Sequence, residues 1–412
     1  MAQNWVSPGV IADAIDVPSS KSVALRYLLI ASVAQGKSVI HNLTYCDDVE
    51  ALLSNFEPLG IGYTRSGRTL TISGGKWRQV EKLDCGESGF LARTLPFLCA
   101  AQGIECEVVG RRTLLCRDLQ DLVSVFQAAG GKLSGVRLPL HVAPFVMNEH
   151  IEISRQTSSQ SLSGLLMALP LTNRHTCLYF NNLPSKGYIT LTLDAIRKFG
   201  AFYKETGSAG DALAFSPSVY LGHNVSVPGD WSAASQLIAA LQVGDSVLLR
   251  GLEHDSMQPD RAIIALAEKI GFTCRWESTR VHVALSRRPS CFSFDATNCP
   301  DLFPALAAIA TQCEGETCIA GVERLRNKES DRGAALVAML YQYGIVSRMD
   351  GNTLRVIGGE PHPKGVIPCA HDHRIAMAAG AIALRCNERV YLDDMACVRK
   401  SFPNFFEVLI SR

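Results

Sequence analysis

No apolar run in this 412-residue chain is long enough to span a bilayer, and the opening MAQNWVSPGV does not read as a signal peptide. Net charge is nearly absent too. Lys+Arg 40 against Asp+Glu 39 leaves no general field to draw nucleic acid or an anionic membrane, so any anion site must be local. Fourteen cysteines contain no Cys-x-x-Cys pair and sit scattered in apolar segments, as expected of reduced core thiols in a cytoplasmic protein. There is no Gly-x-Ser-x-Gly elbow, and Gly86-x-x-Gly89 lacks the Lys-Thr ending of a P-loop. His371 and His373 resemble a metal pair, but no other His, Cys or Asp set has ligand spacing, so no metal is expected. Long linkers and low-complexity tracts are also missing.

What the chain does have is an internal repeat. Helix-like segments stop at Gly60, Gly130, Gly200, Gly271 and Gly344, spaced 70, 70, 71 and 73 residues apart, and two strand-like segments follow each. An earlier, more apolar helix opens each of six units, beginning near Lys21, Glu87, Ser159, Ser232, Asp301 and His373. SLSGLLMALPL and RIAMAAGAIAL are apolar nearly all round, the mark of helices enclosed by protein. The unit is thus βαβαββ, an α/β repeat. A sixth unit ends at the C-terminus without its strands, and the stretch 10–17 is predicted to supply the missing piece. Pro18-Ser19-Ser20 and Val227-Pro228-Gly229-Asp230 interrupt the pattern. They divide the chain into one lobe of residues 1–18 plus 229–412 and another of 19–228, with a hinge and a binding cleft expected between them.

Charge gathers at one phase of this repeat, the starts of helices. Lys21, Ser22 and Arg26 open the first, Gly86-Glu87-Ser88-Gly89 precede Arg93, and Arg117-Asp118 open another. Ser158-Ser159-Gln160 and Ser185, Lys186 and Tyr188 follow, then Asp301, Lys328 to Arg332, Asp372-His373-Arg374 and Arg399-Lys400. Taken singly, the Ser and Asp residues are helix caps and 328–332 a solvated charge face. Basic residues at helix N-termini, however, run against the helix dipole. Their recurrence there points to an anionic ligand.

PSSKSVALR, GESGFLART, TSSQSLSGLLMALP, SKGYITLTLDAIRKFG, PGDWSAAS, SMQPD, NCPD, NKESDR, DHRIAMA and CVRKSFPNFFEVL resemble, in order, the blocks of the 5-enolpyruvylshikimate-3-phosphate synthase family. The pairing of Lys-Glu-x-Asp-Arg with Asp-His-Arg is the specific part. The resemblance implies a two-lobed inside-out α/β barrel with three repeats per lobe. It implies transfer of the enolpyruvyl group of phosphoenolpyruvate to the 5-hydroxyl of shikimate 3-phosphate, with no cofactor, in a monomer open to inhibition by glyphosate. Phosphoenolpyruvate is then expected on Lys21, Gly89, Arg117, Arg332, Arg374 and Lys400. Shikimate 3-phosphate is expected on Ser22, Arg26, Ser158, Ser159, Gln160, Ser185, Tyr188, Asp301 and Lys328. Glu329 and Asp301 are the acid–base candidates, with Lys21 and Lys328 sharing protons.

Three residues depart from the family's usual pattern. Glu87 and Arg324 stand where asparagine is usual, and Asp118 replaces a proline. A carboxylate beside phosphoenolpyruvate should weaken it, unless Glu87 finds a cation, for which Arg324 is the expected partner. The alternatives are the sister UDP-N-acetylglucosamine enolpyruvyl transferase and a non-catalytic anion-binding relative. The former carries a cysteine where this chain has Arg112.

Overall fold

The computed structural model describes residues 4–153, 158–180, 186–206 and 212–409. Among these, twelve α-helices alternate between two kinds. The odd-numbered ones are α1 (Lys21–Val33), α3 (Gly89–Gln102), α5 (Ser159–Ala168), α7 (Trp231–Ala239), α9 (Phe303–Ala310) and α11 (His373–Ala383). Every residue of α7, α9 and α11 is buried, so alanine and small apolar side chains are needed on all faces. The even-numbered ones are α2 (Asp47–Leu53), α4 (Gln120–Ala128), α6 (Lys186–Lys198), α8 (Ala262–Ile270), α10 (Arg332–Gln342) and α12 (Phe405–Leu409). In α4, α8 and α10 only one face is buried, which explains their mixed sequences.

The stop glycines all have left-handed backbones, with φ of 78, 101, 83, 119 and 74° at Gly60, Gly130, Gly200, Gly271 and Gly344. A side chain there would strain the exit from helix into strand. One complete unit shows the pattern. Ser293–Asp295 runs parallel to Glu316–Ala320 around α9, and after α10 the hairpin Ser347–Asp350 and Thr353–Ile357 joins Glu316–Ala320 antiparallel. His150–Ile153, Thr176–Phe180, Tyr203–Thr206 and Ala212–Phe215 repeat it around α5 and α6. The sheets stay separate among the described residues: four have four strands, one three and one two. They do not close into a barrel.

The chain divides into two compact units, Met1–Ser20 with Pro228–Arg412, and Lys21–Val227. Each has its own apolar core. In the first, α7, α9 and α11 pack on one another; in the second, α3 lies on α5 and α6 contacts α1 and α5. The approach of α3 to α5 depends on Gly164, where a Cβ would meet the Arg93 carbonyl at 2.6 Å.

The N-terminal strand differs from expectation. Ala14–Asp16 pairs in parallel with Ser246–Arg250, while Trp5–Val6 pairs antiparallel with Val390–Tyr391 and completes the sixth unit. Asn224–Ser226 likewise joins Gly36–His41, far upstream in the chain. An alternating apolar pattern identifies a strand and its inner face but does not name its partner, so it could not assign 10–17 to one sheet rather than another.

Candidate active site

In the C-terminal unit the charged residues sit at helix starts. Asp301 lies in the turn Pro300–Leu302 that leads into α9, and Arg332 begins α10 after Asp331, whose carboxylate caps Ala334 N–H at 3.2 Å. Asp372 caps α11 by accepting from the Arg374 N–H at 3.0 Å. Lys400 ends the short turn Ala396–Lys400. The repeat therefore delivers these side chains to one place.

Arg332 is the hub, with 1 % of its side chain exposed. Its guanidinium donates to Asp301 at 2.9 Å, Glu329 at 2.7 Å and Asp372 at 2.9 Å. Asp301 also receives Arg374 at 3.0 Å and Lys328 at 3.3 Å, and Lys400 lies 3.5 Å from Glu329. These ion pairs join four cations to three carboxylates in a largely buried cluster, and Arg374 also faces the Asp260 and Asp230 carboxylates. Guanidinium and ammonium groups gathered in this way can exchange a carboxylate partner for an incoming anion. Burial would raise the Asp301 carboxyl, but Arg374, Lys328 and Arg332 outweigh it and hold the group well below the usual carboxylate range. Burial lowers the Lys328 ammonium, with Asp301 opposing and Arg332 adding to the effect. Burial thus makes the Lys328 ammonium a readier proton donor than a solvated lysine.

Two features of this cluster were not read from the sequence. Asp372 was a cap and nothing more, yet it is also a main partner of Arg332. Asp260, on the turn Pro259–Arg261, is buried and hydrogen-bonded to the Ser232 hydroxyl at the start of α7. Burial pushes its carboxyl up to about 7, with the Asp301 charge adding and Arg374 opposing. A carboxyl raised in the folded state costs stability as pH climbs from its unfolded value through about 7. Replacing Asp260→Asn, whose amide oxygen still accepts from Ser232, should remove that cost. The melting temperature of the variant relative to the parent should rise between pH 5 and 8; a flat or falling difference would refute the assignment.

The N-terminal unit holds the other expected residues in two groups. Lys21, first residue of α1, pairs with the buried Asp48 of α2 at 2.9 Å. Arg26, one turn later, is buried and donates to the Ser22 carbonyl at 2.7 Å, Thr192 at 2.8 Å, and Ser163 and the Tyr188 carbonyl at 3.1 Å. Its guanidinium also lies over the Phe90 ring, 4.7 Å from the centroid. Burial brings its pKa down to about 10. Arg26 thus ties α1 to α5 and α6, and so positions Ser158, Ser159 and Gln160 at the start of α5, where Ser158 caps the Gln160 N–H at 3.2 Å. Ser185 lies outside the described residues.

The second group surrounds Gly89. Arg93 is ion-paired with Asp121 at 3.0 Å and donates to the carbonyls of Gly89 and Asp118, both at 3.3 Å. Arg117 is buried and so close that a Cβ on Gly89 would sit 2.5 Å from its Nη1. Gly89→Ala should therefore push the Arg117 tip aside rather than unfold α3, because that contact is with the end of a flexible side chain. On the sequence-based expectation that phosphoenolpyruvate binds here, its KM should rise by about tenfold or more, the loss of one charge-assisted contact. An unchanged KM would separate Gly89 from that expected ligand. Glu87 is paired inside its own unit, accepting from Thr113 at 3.1 Å with Arg112 at 3.6 Å.

Glu329, Asp372 and His373 form the one group among the described residues with metal-ligand proximity. Arg332 already neutralises both of its carboxylates, so the donor set suits a guanidinium better than a cation that must displace it. His371 instead meets Asp394 at 2.7 Å on the surface.

Residues 7–409 match the family model described as EPSP synthase (3-phosphoshikimate 1-carboxyvinyltransferase). The 3-phosphoshikimate 1-carboxyvinyltransferase of Clostridium kluyveri is 30% identical over 407 residues, covering 98% of this chain and 95% of the relative. That of Clostridium perfringens is 31% identical over 414 residues, covering 98% and 96%. Among solved structures, the EPSP synthase of Acinetobacter baumannii superposes with TM-score 0.79 at 24% identity, covering 98% of this chain and 96% of that one. The enolpyruvyl transferase NikO from Streptomyces tendae gives 0.77 at 18% identity, covering 98% and 96%. These two likenesses concern the fold.

Proposed function

Since the chain belongs to the EPSP synthase (3-phosphoshikimate 1-carboxyvinyltransferase) family, we propose that its two charged clusters carry out enolpyruvyl transfer from phosphoenolpyruvate to the 5-hydroxyl of shikimate 3-phosphate. The observation that carries this reading is the Asp301–Lys328–Glu329–Arg332 cluster, which sets two carboxylates and a proton-donating ammonium around one buried guanidinium.

Addition comes first. The 5-hydroxyl oxygen bonds to C2 of phosphoenolpyruvate while C3 gains a proton, giving a tetrahedral ketal phosphate. Elimination then breaks the C2–O bond to phosphate and returns the C3 proton, so phosphate leaves and the enol ether remains. Asp301 takes the hydroxyl proton. In the described state three cations hold its basicity down; anions that claim Arg374 and Lys328 would raise it toward usefulness. Glu329 delivers and removes the C3 proton, with Lys328 and Lys21 as proton reservoirs. Arg117, Arg332, Arg374, Lys21 and Lys400 hold the carboxylate and phosphate of phosphoenolpyruvate, and the bare Gly89 backbone leaves it room. Ser22, Arg26, Ser158, Ser159, Gln160, Ser185, Tyr188, Asp301 and Lys328 are assigned to shikimate 3-phosphate.

All these groups come from one chain, which supports a monomer as the working species. Fourteen free thiols, with Cys116 and Cys291 exposed, support a reducing cytoplasmic setting. No helix of the described residues is long and apolar enough to cross a membrane. Phosphate release assayed with phosphoenolpyruvate plus shikimate 3-phosphate tests the reading directly. Turnover should require both; turnover with UDP-N-acetylglucosamine instead, or none with either acceptor, would overturn it.

A further inference from the structure

Glu87 is a carboxylate placed where it should repel the donor substrate, yet its surroundings give it a constructive task. Strands Lys82–Asp84 and Cys106–Val109 run parallel, so the chain leaves both on the same side of the sheet. The two exits are joined by backbone as far as Arg111. Cys85 N–H donates to the Val109 carbonyl at 2.8 Å, and Arg111 N–H to the Gly86 carbonyl at 2.7 Å. Arg111 also reaches back to Asp84, whose other oxygen accepts from Gly86 N–H at 2.8 Å. Beyond Arg111 the chain turns through Arg112, a non-glycine residue at φ +45°, into the one-turn helix Arg112–Cys116 that ends at Arg117. Side-chain contacts with Glu87 then bridge this turn to the glycine loop: Thr113 at 3.1 Å and Arg112 at 3.6 Å. On the far side of Arg117, Arg93 holds the Asp118 carbonyl and Asp121.

We propose that Glu87 is a positioning residue for the donor substrate: by holding Thr113, and secondarily Arg112, it fixes the turn that delivers the Arg117 guanidinium to Gly89. The inference rests on the reading above that Arg117 and Gly89 hold phosphoenolpyruvate. Thr113 carries most of the effect, because the Arg112 side chain is 82% exposed and its longer contact is screened by water. The left-handed Arg112 backbone is the reason a tether is needed, since an untethered turn would relax away from that conformation. A neutral asparagine at 87 is too short by one methylene to span the same gap. Glutamate here therefore lengthens the reach of the side chain and accepts the added charge, which Arg112 offsets.

Steady-state kinetics of the full chain, varying each substrate, tests this. Glu87→Ala should raise the KM for phosphoenolpyruvate about tenfold, the scale of one lost hydrogen bond to a charged group, with the KM for shikimate 3-phosphate within about twofold. Thr113→Val should behave alike, and the double variant should be no worse than either single one. Glu87→Gln keeps the acceptor and the length, so it should restore most of the affinity, whereas Arg112→Ala should change little. Equal rises in both KM values, an additive double variant, or a Glu87→Gln as impaired as Glu87→Ala would each overturn the tether. Arg117→Ala, measured alongside, separates the two claims. If it raises the KM for phosphoenolpyruvate while Glu87→Ala does not, only the inference falls; if it leaves that KM unchanged, the donor-site reading falls and takes the inference with it.

Discussion

Glu329→Gln should lower kcat by roughly two to four orders of magnitude while changing either KM by less than about threefold, the range expected when a positioned proton-transfer group is lost. The amide keeps the length of the side chain, and its oxygen can still accept from Arg332, the stronger of the two contacts at 2.7 Å. The charge pairing with Lys400 at 3.5 Å is lost. Both side chains are nearly buried, so neutralising one costs about 3 kcal/mol and lowers the melting temperature by several degrees. Measured well below that melting point, a fall in kcat without a change in KM places the catalytic defect in the transition state. Pre-steady-state phosphate release would show the same loss in the first turnover. If KM for both substrates rose in proportion to the fall in kcat, or if the variant melted far below the parent, Glu329 would be a structural partner of Arg332 and the proton role would pass to Lys328.

The sequence made much of this visible, and for definable reasons. A period near 70 residues, punctuated by stop glycines that the structure holds at positive φ, exposed the unit before any motif was considered. All-round apolarity identified the helices of SLSGLLMALPL and RIAMAAGAIAL, α5 and α11, as enclosed, because a helix without a polar face is normally covered on all sides. Lys328, Glu329, Arg332, Arg374 and Asp301 were legible because charge recurred at the same phase of the repeat. Other features depended on pairing, which a single chain does not display. The stretch 10–17 was expected to complete the sixth unit, but its Ala14–Asp16 pairs with Ser246–Arg250, and Trp5–Val6 takes that place. Asp372 and Asp260 were hidden because a carboxylate before a helix already has a sufficient reason to be there. Glu87 illustrates the same point from the other side. Its charge was plain, whereas its contacts with Thr113 and Arg112 were not.

Arg332→Met should be the most destabilising single change in the C-terminal unit. Methionine fills much of the same volume, so the loss is electrostatic: Asp301, Glu329 and Asp372 would keep their positions without the cation they share. Breaking a buried ion pair by removing one partner typically costs about 3–5 kcal/mol, because the remaining charge stays desolvated. The cost must depend on pH, and its sign follows from Asp301. In the parent its carboxyl is held well below the ordinary value, so its contribution to stability is present above the unfolded pKa and disappears as pH falls through the lower folded one. Without Arg332 the Asp301 carboxyl protonates at higher pH, which relieves the repulsion among the carboxylates. The stability gap between variant and parent should thus be widest near pH 8 and narrow steadily toward pH 4.5, as read from urea unfolding at each pH. Adding Asp372→Asn should recover part of the stability but none of the activity, since it removes one unpaired charge without restoring the guanidinium. A gap that stayed constant with pH, or widened toward acid, would mean that the loss comes from packing around α10 and not from the carboxylates that Arg332 joins.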